Sequence, residues 1–249
     1  MSYEFLAPDQ TTPDADFAPL ARGAMAHDAE QAGATFEEAG GWLVPSAYAG
    51  AEAESAAARD AVAWAEASHL GKFEIQGSAA DVAAIVAEAS GGAAPALGSA
   101  ARARDAWWCP ATPERALVLA DLTATPSLRD AIAKAAAGTP GATSVVEVTT
   151  TLGAIVIAGP QARETFARFC ALDLRDGATP VGAFRPGSVA RTPGYVLREG
   201  PDRYLALFGW ALGHYLWTVV ADAAASLGGA PAALTSLPPI AAPQEAAHA

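Results

Sequence analysis

The 249-residue chain is poor in positive charge: Lys and Arg total 15 against 27 Asp and Glu, a net charge of −12 and a sequence pI near 4.6. The basic residues are scattered, so no patch escapes an acidic surface that repels phosphate backbones and anionic headgroups. Neither nucleic acid nor a membrane is expected as a partner. No run approaches the ~20 apolar residues of a membrane span; the stretch from Tyr204 to Val220 is broken by Gly209, Gly213 and His214. The N-terminus lacks a basic segment followed by an apolar run, so a cytoplasmic location is expected. Two cysteines, Cys109 and Cys170, lie far apart and are expected as buried free thiols rather than a disulfide.

Chemical motifs are also missing. The four histidines (His27, His69, His214, His248) and two cysteines form no CxxC, HxH or HExxH, so no metal is expected. Gly71-Lys72 is followed by Phe73, which rules out a Walker loop, and neither GxGxxG after a strand nor GxSxG occurs. The carboxylate pairs Glu37-Glu38, Glu52/Glu54 and Asp173/Asp176 read as solvated faces. His69 reads as a turn histidine bonded to backbone, and His214 as a helix-face or interface residue. For the aromatics Trp107, Trp108, Trp210, Tyr215 and Trp217, two roles stay open: core packing, or a platform for a flat heterocycle or partner.

What is present is an alternation of helical and strand patterns without fully apolar parallel runs. This predicts an α+β fold with antiparallel sheets. Helices are expected from Asp16 to Gly33, from Ala51 to Ala65, after Ser78 to Gly91, from Pro126 to Gly138, from Pro160, and over Leu212 to Leu227. Ser78 stands three residues before Asp81, a cap-like start. Strands are expected over Lys72–Gln76, Trp107–Trp108, Leu117–Leu119, Val145–Thr150, Ile155–Ile157, Val189–Leu197 and Tyr204–Phe208. Phe73–Gly77 and Ile155–Gly159 each give strand, glycine, helix, an echo that suggests two related halves. The expected division is an N-terminal arm over 1–15, halves over 16–100 and 101–228, and a disordered tail over 229–249.

Two stretches resemble the glycine-cleavage T-protein (aminomethyltransferase) family: Gly33-Ala34-Thr35-Phe36 through Gly41-Trp42-Leu43-Val44-Pro45 to Tyr48, followed by Glu54 and Arg59, and Ser68-His69-Leu70-Gly71-Lys72 to Gly77. Later motifs resemble a sister group, the sarcosine oxidase γ-subunit: Gly159-Pro160-Gln161-Ala162-Arg163, Cys170-Ala171-Leu172-Asp173-Leu174, and Phe184-Arg185-Pro186-Gly187 with Ala190-Arg191-Thr192. The resemblance covers roughly residues 17–228. It implies duplicated α/β units around a central channel, one-carbon chemistry of glycine or sarcosine, and tetrahydrofolate as the candidate cofactor.

The same resemblance exposes departures. Where the enzymes carry an acidic Gly-rich segment between the halves, this chain reads Arg104-Asp105-Ala106-Trp107-Trp108-Cys109-Pro110. The later "GYTGE" segment survives only as Gly194-Tyr195, with Glu199 nearby. The family's C-terminal barrel is not expected in a chain of this length. No catalytic residue is therefore assigned. The ligand-lining candidates are Tyr48, His69, Leu70, Arg191, Tyr195 and Trp210. The leading expectation is a non-catalytic accessory subunit partnered by flavoprotein oxidase subunits or by its own copies. The alternatives are a minimal tetrahydrofolate-dependent aminomethyl- or methyltransferase, with Asp105 or Glu199 as the replacement carboxylate, and an interaction module that binds no small molecule.

Overall fold

A computed structural model describes residues 19–240. Asp16, Phe17 and the expected N-terminal arm lie outside the described residues. The described chain begins with β1 (Ala21–Arg22), α1 (Ala26–Gln31), β2 (Thr35–Ala39) and β3 (Trp42–Ala47), which form a small sheet in the order β1-β3-β2. Gly40 and Gly41, both at positive φ, make the β2–β3 turn. The expected helix from Asp16 to Gly33 is confined to α1, because Ala21 and Arg22 pair with Trp42 and Leu43 instead.

Next come α2 (Ala51–Asp60), β4 (Ala63–Glu66), β5 (Gly71–Gln76), α3 (Ala79–Ser90), β6 (Ala101–Ala103), β7 (Ala106–Thr112), β8 (Arg115–Ala120), α4 (Thr125–Ala137) and β9 (Ser144–Glu147). The remainder is β10 (Leu152–Ala158), α5 (Ala162–Ala167), β11 (Phe184–Val189), β12 (Thr192–Gly200), β13 (Arg203–Gly209), α6 (Gly213–Ala225) and β14 (Ala230–Pro231). The Ser78 hydroxyl accepts from the Asp81 amide at 3.2 Å and donates to its carboxylate at 2.6 Å, a cap of about 1 kcal/mol. Gly91 closes α3 in the left-handed conformation.

Two larger sheets dominate: β6-β7-β8-β5-β9 and β11-β12-β13-β10-β4-β14. Their pairings are antiparallel except the short β4–β14 contact. The fold is thus α+β with antiparallel-rich sheets, as expected. In the first sheet β5-α3-β7-β8-α4-β9 is a split β-α-β unit with spatial order β7-β8-β5-β9. The second repeats it: β10-α5-β12-β13-α6 gives β12-β13-β10, and β4 fills the fourth place. The strands of the sequence echo, β5 and β10, hold equivalent positions. The repeat therefore breaks between Glu147 and Leu152, and the division expected at residue 100 falls inside the first unit.

Side-chain alternation builds four layers. Phe73, Ile75, Trp108 and Val118 face α3 and α4, whose Val82, Ile85, Leu128 and Ile132 complete one core. Ile155, Ile157, Tyr204 and Phe208 face Phe166 of α5 and Leu216 and Val220 of α6. Between the sheets lie Trp107, Cys109, Leu117, Leu119, Val156 and Leu205. Each such buried side chain contributes roughly 1.5–3 kcal/mol. Both cysteines are buried and free.

Three expectations need correction. Residues Ala63–Glu66 are not the end of a helix: β4 lies between β10 and β14 with all four residues buried, and pairing overrides the helical preference of alanine. The strand expected over Val189–Leu197 is a hairpin whose turn residues, Ala190 and Arg191, have φ of 50° and 62°. Residues 229–240 are ordered: β14 pairs with β4, and Ala232, Ala233 and Leu237 are buried. Residues 241–249 lie outside the described residues. No helix among the described residues is long and apolar enough to cross a membrane.

Candidate functional site

The pleat of β7 sends Trp108 toward the helices, where its Nε1 donates to the Ala103 carbonyl, and Trp107 into the space between the sheets. There the Trp107 Nε1 donates to Glu199 Oε1 at 3.0 Å. Arg203, the first residue of β13, donates from Nε to Glu199 Oε2 at 2.8 Å. A register shift between Arg198 and Gly200 brings Gly200 opposite Arg203. Arg198 points elsewhere, donating to Gly200, Thr179, Pro201 and Asp176. The guanidinium of Arg102 lies 5.7 Å from the Trp107 ring and pairs with Asp121 at 2.6 Å. These groups surround a cavity of about 50 Å³ that Leu70, Leu234 and Ile240 also line. Glu199 is 4% exposed, and both of its oxygens are engaged.

A second polar cluster marks the crossing from one large sheet to the other. Lys72, with no exposed surface, donates from Nζ to the carbonyls of Ser68 and Leu70, each at 2.8 Å, and of Thr149 at 3.4 Å. The Ser68 hydroxyl accepts from the Ala154 amide at 3.1 Å. Burial pulls Lys72 down to about 7, against the opposing charges of Glu66 and Glu147. Burial raises Glu66. The Ser-His-Leu-Gly-Lys motif thus works as a covalent and hydrogen-bonded hinge between the sheets. Gly71 is required there because a Cβ would overlap the Thr125 side chain.

The six ligand-lining candidates do not converge. Leu70 lines the intersheet cavity. Tyr195 stacks on Phe184 at 5.2 Å and packs against the intersheet core. His69 sits in the β4–β5 turn; among the described residues its Nδ1 is buried without a partner, and burial, then the Lys72 charge, lowers it to about 4. The expected backbone bond to His69 is therefore not made through Nδ1. Tyr48 stacks on Trp217 on the helix side, and burial, then Glu66 and Glu54, raises its pKa. Trp210 meets Trp42 at 6.2 Å, also away from the cavity. Arg191 is exposed at the β11–β12 turn. Asp105 is exposed at a hairpin tip with φ of 55°, so of the two replacement carboxylates only Glu199 faces the cavity. His214 bridges α6 to α1 through Asp28 at 2.6 Å.

Sequence reading missed Arg102, Asp121 and Arg203, and took Glu54 as part of a solvated face, whereas it is buried at 2% exposure. Glu54 accepts from the amides of Tyr48, Ala49 and Gly50 through Oε1 and from Ala233 through Oε2 at 2.7 Å. Burial would raise its pKa, but those backbone donors and Ser236 hold it below the usual value. Among the described residues no group of His, Cys, Asp and Glu is placed to hold a metal.

No protein-family model matches the chain. A chain of the heterotetrameric sarcosine oxidase from Corynebacterium sp. U-96, in complex with pyrrole 2-carboxylate, shares the fold with a TM-score of 0.62 and 22% identity, covering 72% of this chain and 93% of that one. The glycine cleavage system aminomethyltransferase T from Bartonella henselae gives a TM-score of 0.70 at 16% identity, over 87% of this chain and 60% of that one. An aminomethyltransferase of Mycobacterium leprae (strain TN) is 42% identical over 65 residues, 26% of this chain and 18% of the relative. The matched segment thus spans less than a fifth of that relative's length.

Proposed function

We propose that this chain, which has the aminomethyltransferase fold, is a non-catalytic accessory subunit whose central channel is filled by its own side chains. The observation that carries this reading is the Trp107–Glu199–Arg203 constellation. A carboxylate that served a substrate amine would need a free oxygen facing an open space. Here the indole and the guanidinium take both oxygens, and the remaining cavity of about 50 Å³ has room for a few waters.

Tetrahydrofolate, which the sequence resemblance implies, does not fit these residues. Small-molecule sites enclose roughly 300–1,000 Å³, and the Trp107 indole fills the space between the sheets beside the small cavity. The minimal-transferase alternative loses its carboxylate on the same grounds. The accessory reading is favoured over a lone interaction module because the fold recurs, over 93% of the matched chain, in an oxidase that is itself heterotetrameric. Flavoprotein oxidase subunits are the partners this implies.

Two measurements test the reading. Calorimetric titration with tetrahydrofolate up to millimolar concentration gives no saturable heat; a stoichiometric isotherm overturns it. Affinity purification of the tagged chain from its native cells brings down a flavin-containing oxidase in fixed ratio. A monomer that elutes alone at physiological concentration refutes the subunit assignment.

A further inference from the structure

We infer that residues 234–240 form a displaceable internal strap that keeps a ligand-sized cleft shut off from the intersheet cavity. The inference rests on the reading above that the channel is self-filled, and it identifies the part of the filling that can leave. Arg203 lines two spaces: the intersheet cavity and a surface cleft of about 300 Å³ bounded by Gly159, Pro160 and Asp202. The strap lines both as well, placing Leu234 and Ile240 in the cavity and Pro238 and Pro239 in the cleft. The Arg203 guanidinium and the strap therefore form the partition between them.

The strap is attached lightly. Backbone pairing with β4 ends at the Ala232 amide, which donates to the Trp64 carbonyl at 2.9 Å. Beyond it the bonds to the rest of the protein are the Ala233 amide on Glu54, the Ser55 hydroxyl on the Ser236 carbonyl at 3.1 Å, and Arg203 Nη1 on the Pro238 carbonyl at 2.8 Å; the turn's own bonds, Ser236 to Ala233 and Leu237 to Leu234, are local, and Leu237 is the buried anchor beside the partly buried Leu234 and Ile240. A segment held by side chains rather than by a ladder opens at lower free energy than the sheets beneath it. Its departure joins the cleft, already at the lower limit of small-molecule sites, to a wall formed by the Trp107 indole and the aliphatic faces of Leu119, Val156 and Leu205. Arg203, released from Pro238 while its Nε stays on Glu199, then offers Nη1 to the opening. That combination takes a flat apolar molecule bearing one anionic group.

The test uses the full chain and 8-anilinonaphthalene-1-sulfonate, a flat aromatic anion. Substituting Leu234→Ala and Ile240→Ala together removes the strap's two cavity side chains. If the open fraction rises roughly tenfold, the apparent Kd of the probe tightens by about tenfold at a ratio of one per chain. A cooperatively folded variant that shows no gain, or that binds several probes per chain, overturns the strap. Should the variant not fold, hydrogen exchange on the unmodified chain decides. The amides of Ser236 and Leu237 are expected to exchange through an opening that leaves β10 protected, and exchange only with global unfolding overturns the inference. Tetrahydrofolate binding by the unmodified chain would instead refute the accessory reading, so the two failures are distinct.

Discussion

Glu199 on β12 holds the indole of Trp107 on β7 through a 3.0 Å hydrogen bond, tying together two sheets whose residues stand 92 positions apart. Trp107→Phe keeps an aromatic ring but removes the donor, leaving a buried carboxylate oxygen unpaired. The expected loss is about 1–3 kcal/mol, read as a fall in the urea midpoint at unchanged slope. Adding Glu199→Gln leaves Arg203 without its carboxylate, so the double variant is less stable than Trp107→Phe alone, but by less than Glu199→Gln costs in the parent, because the indole donor is already gone. Strict additivity of the two substitutions would show that the pair is not coupled.

Glu54 ties the loop before α2 to the C-terminal segment through four backbone amides. Its carboxyl is held below the ordinary glutamate pKa, so the folded state binds its proton less readily than the unfolded state does. Its stabilisation is therefore complete above the unfolded value of about 4.3 and disappears as pH falls through the lower folded value. Glu54→Gln is expected to lower the melting temperature at pH 7, with the gap to the parent chain narrowing below pH 4. A gap that stays constant with pH would mean that the charge does no work here.

His69 runs in the same direction over a higher range. Burial lowers it to about 4, while an unfolded histidine titrates near 6.5. Between these values the unfolded chain binds the extra proton, so stability rises with pH across that window and levels off above it. His69→Gln flattens this segment of the profile. Urea midpoints at pH 4.5, 5.5 and 7 check it; a parent and variant with parallel profiles would place the titration elsewhere.

These cases also show what a sequence can reveal. Ile155-Val156-Ile157 and the capped start at Ser78 are legible because one local pattern, a β-branched triple or a serine three residues before an aspartate, decides the local structure. Ala63-Trp64-Ala65-Glu66 is not legible. It continues an alanine-rich helical stretch, and only pairing with β10, some 90 residues later, makes it a strand. The site behaves the same way. The tryptophans at 107 and 108 flag a departure from the motifs the rest of the sequence resembles, yet which of them turns inward depends on the pleat of β7. The Glu199–Arg203 pair has helical spacing in sequence but forms across a hairpin with a shifted register.

Gly213 tests how closely the second repeat is seated against the N-terminal segment. It opens α6, where replacing glycine by alanine in a helix ordinarily stabilises by about 0.5–1 kcal/mol. Here a Cβ would overlap the backbone carbonyl of Ala24, just before α1. Backbone cannot swing aside as a long side chain can, so Gly213→Ala must push α6 away from α1. That movement strains the His214–Asp28 bridge and the contacts of Leu216 and Val220 with the sheet. The propensity gain is outweighed, and a net loss of about 1–3 kcal/mol follows, as for other overpacked positions. Thermal unfolding reads it directly. A variant as stable as the parent, or more so, would show that α6 is free to shift and that the close approach at Ala24 is not part of what fixes this fold.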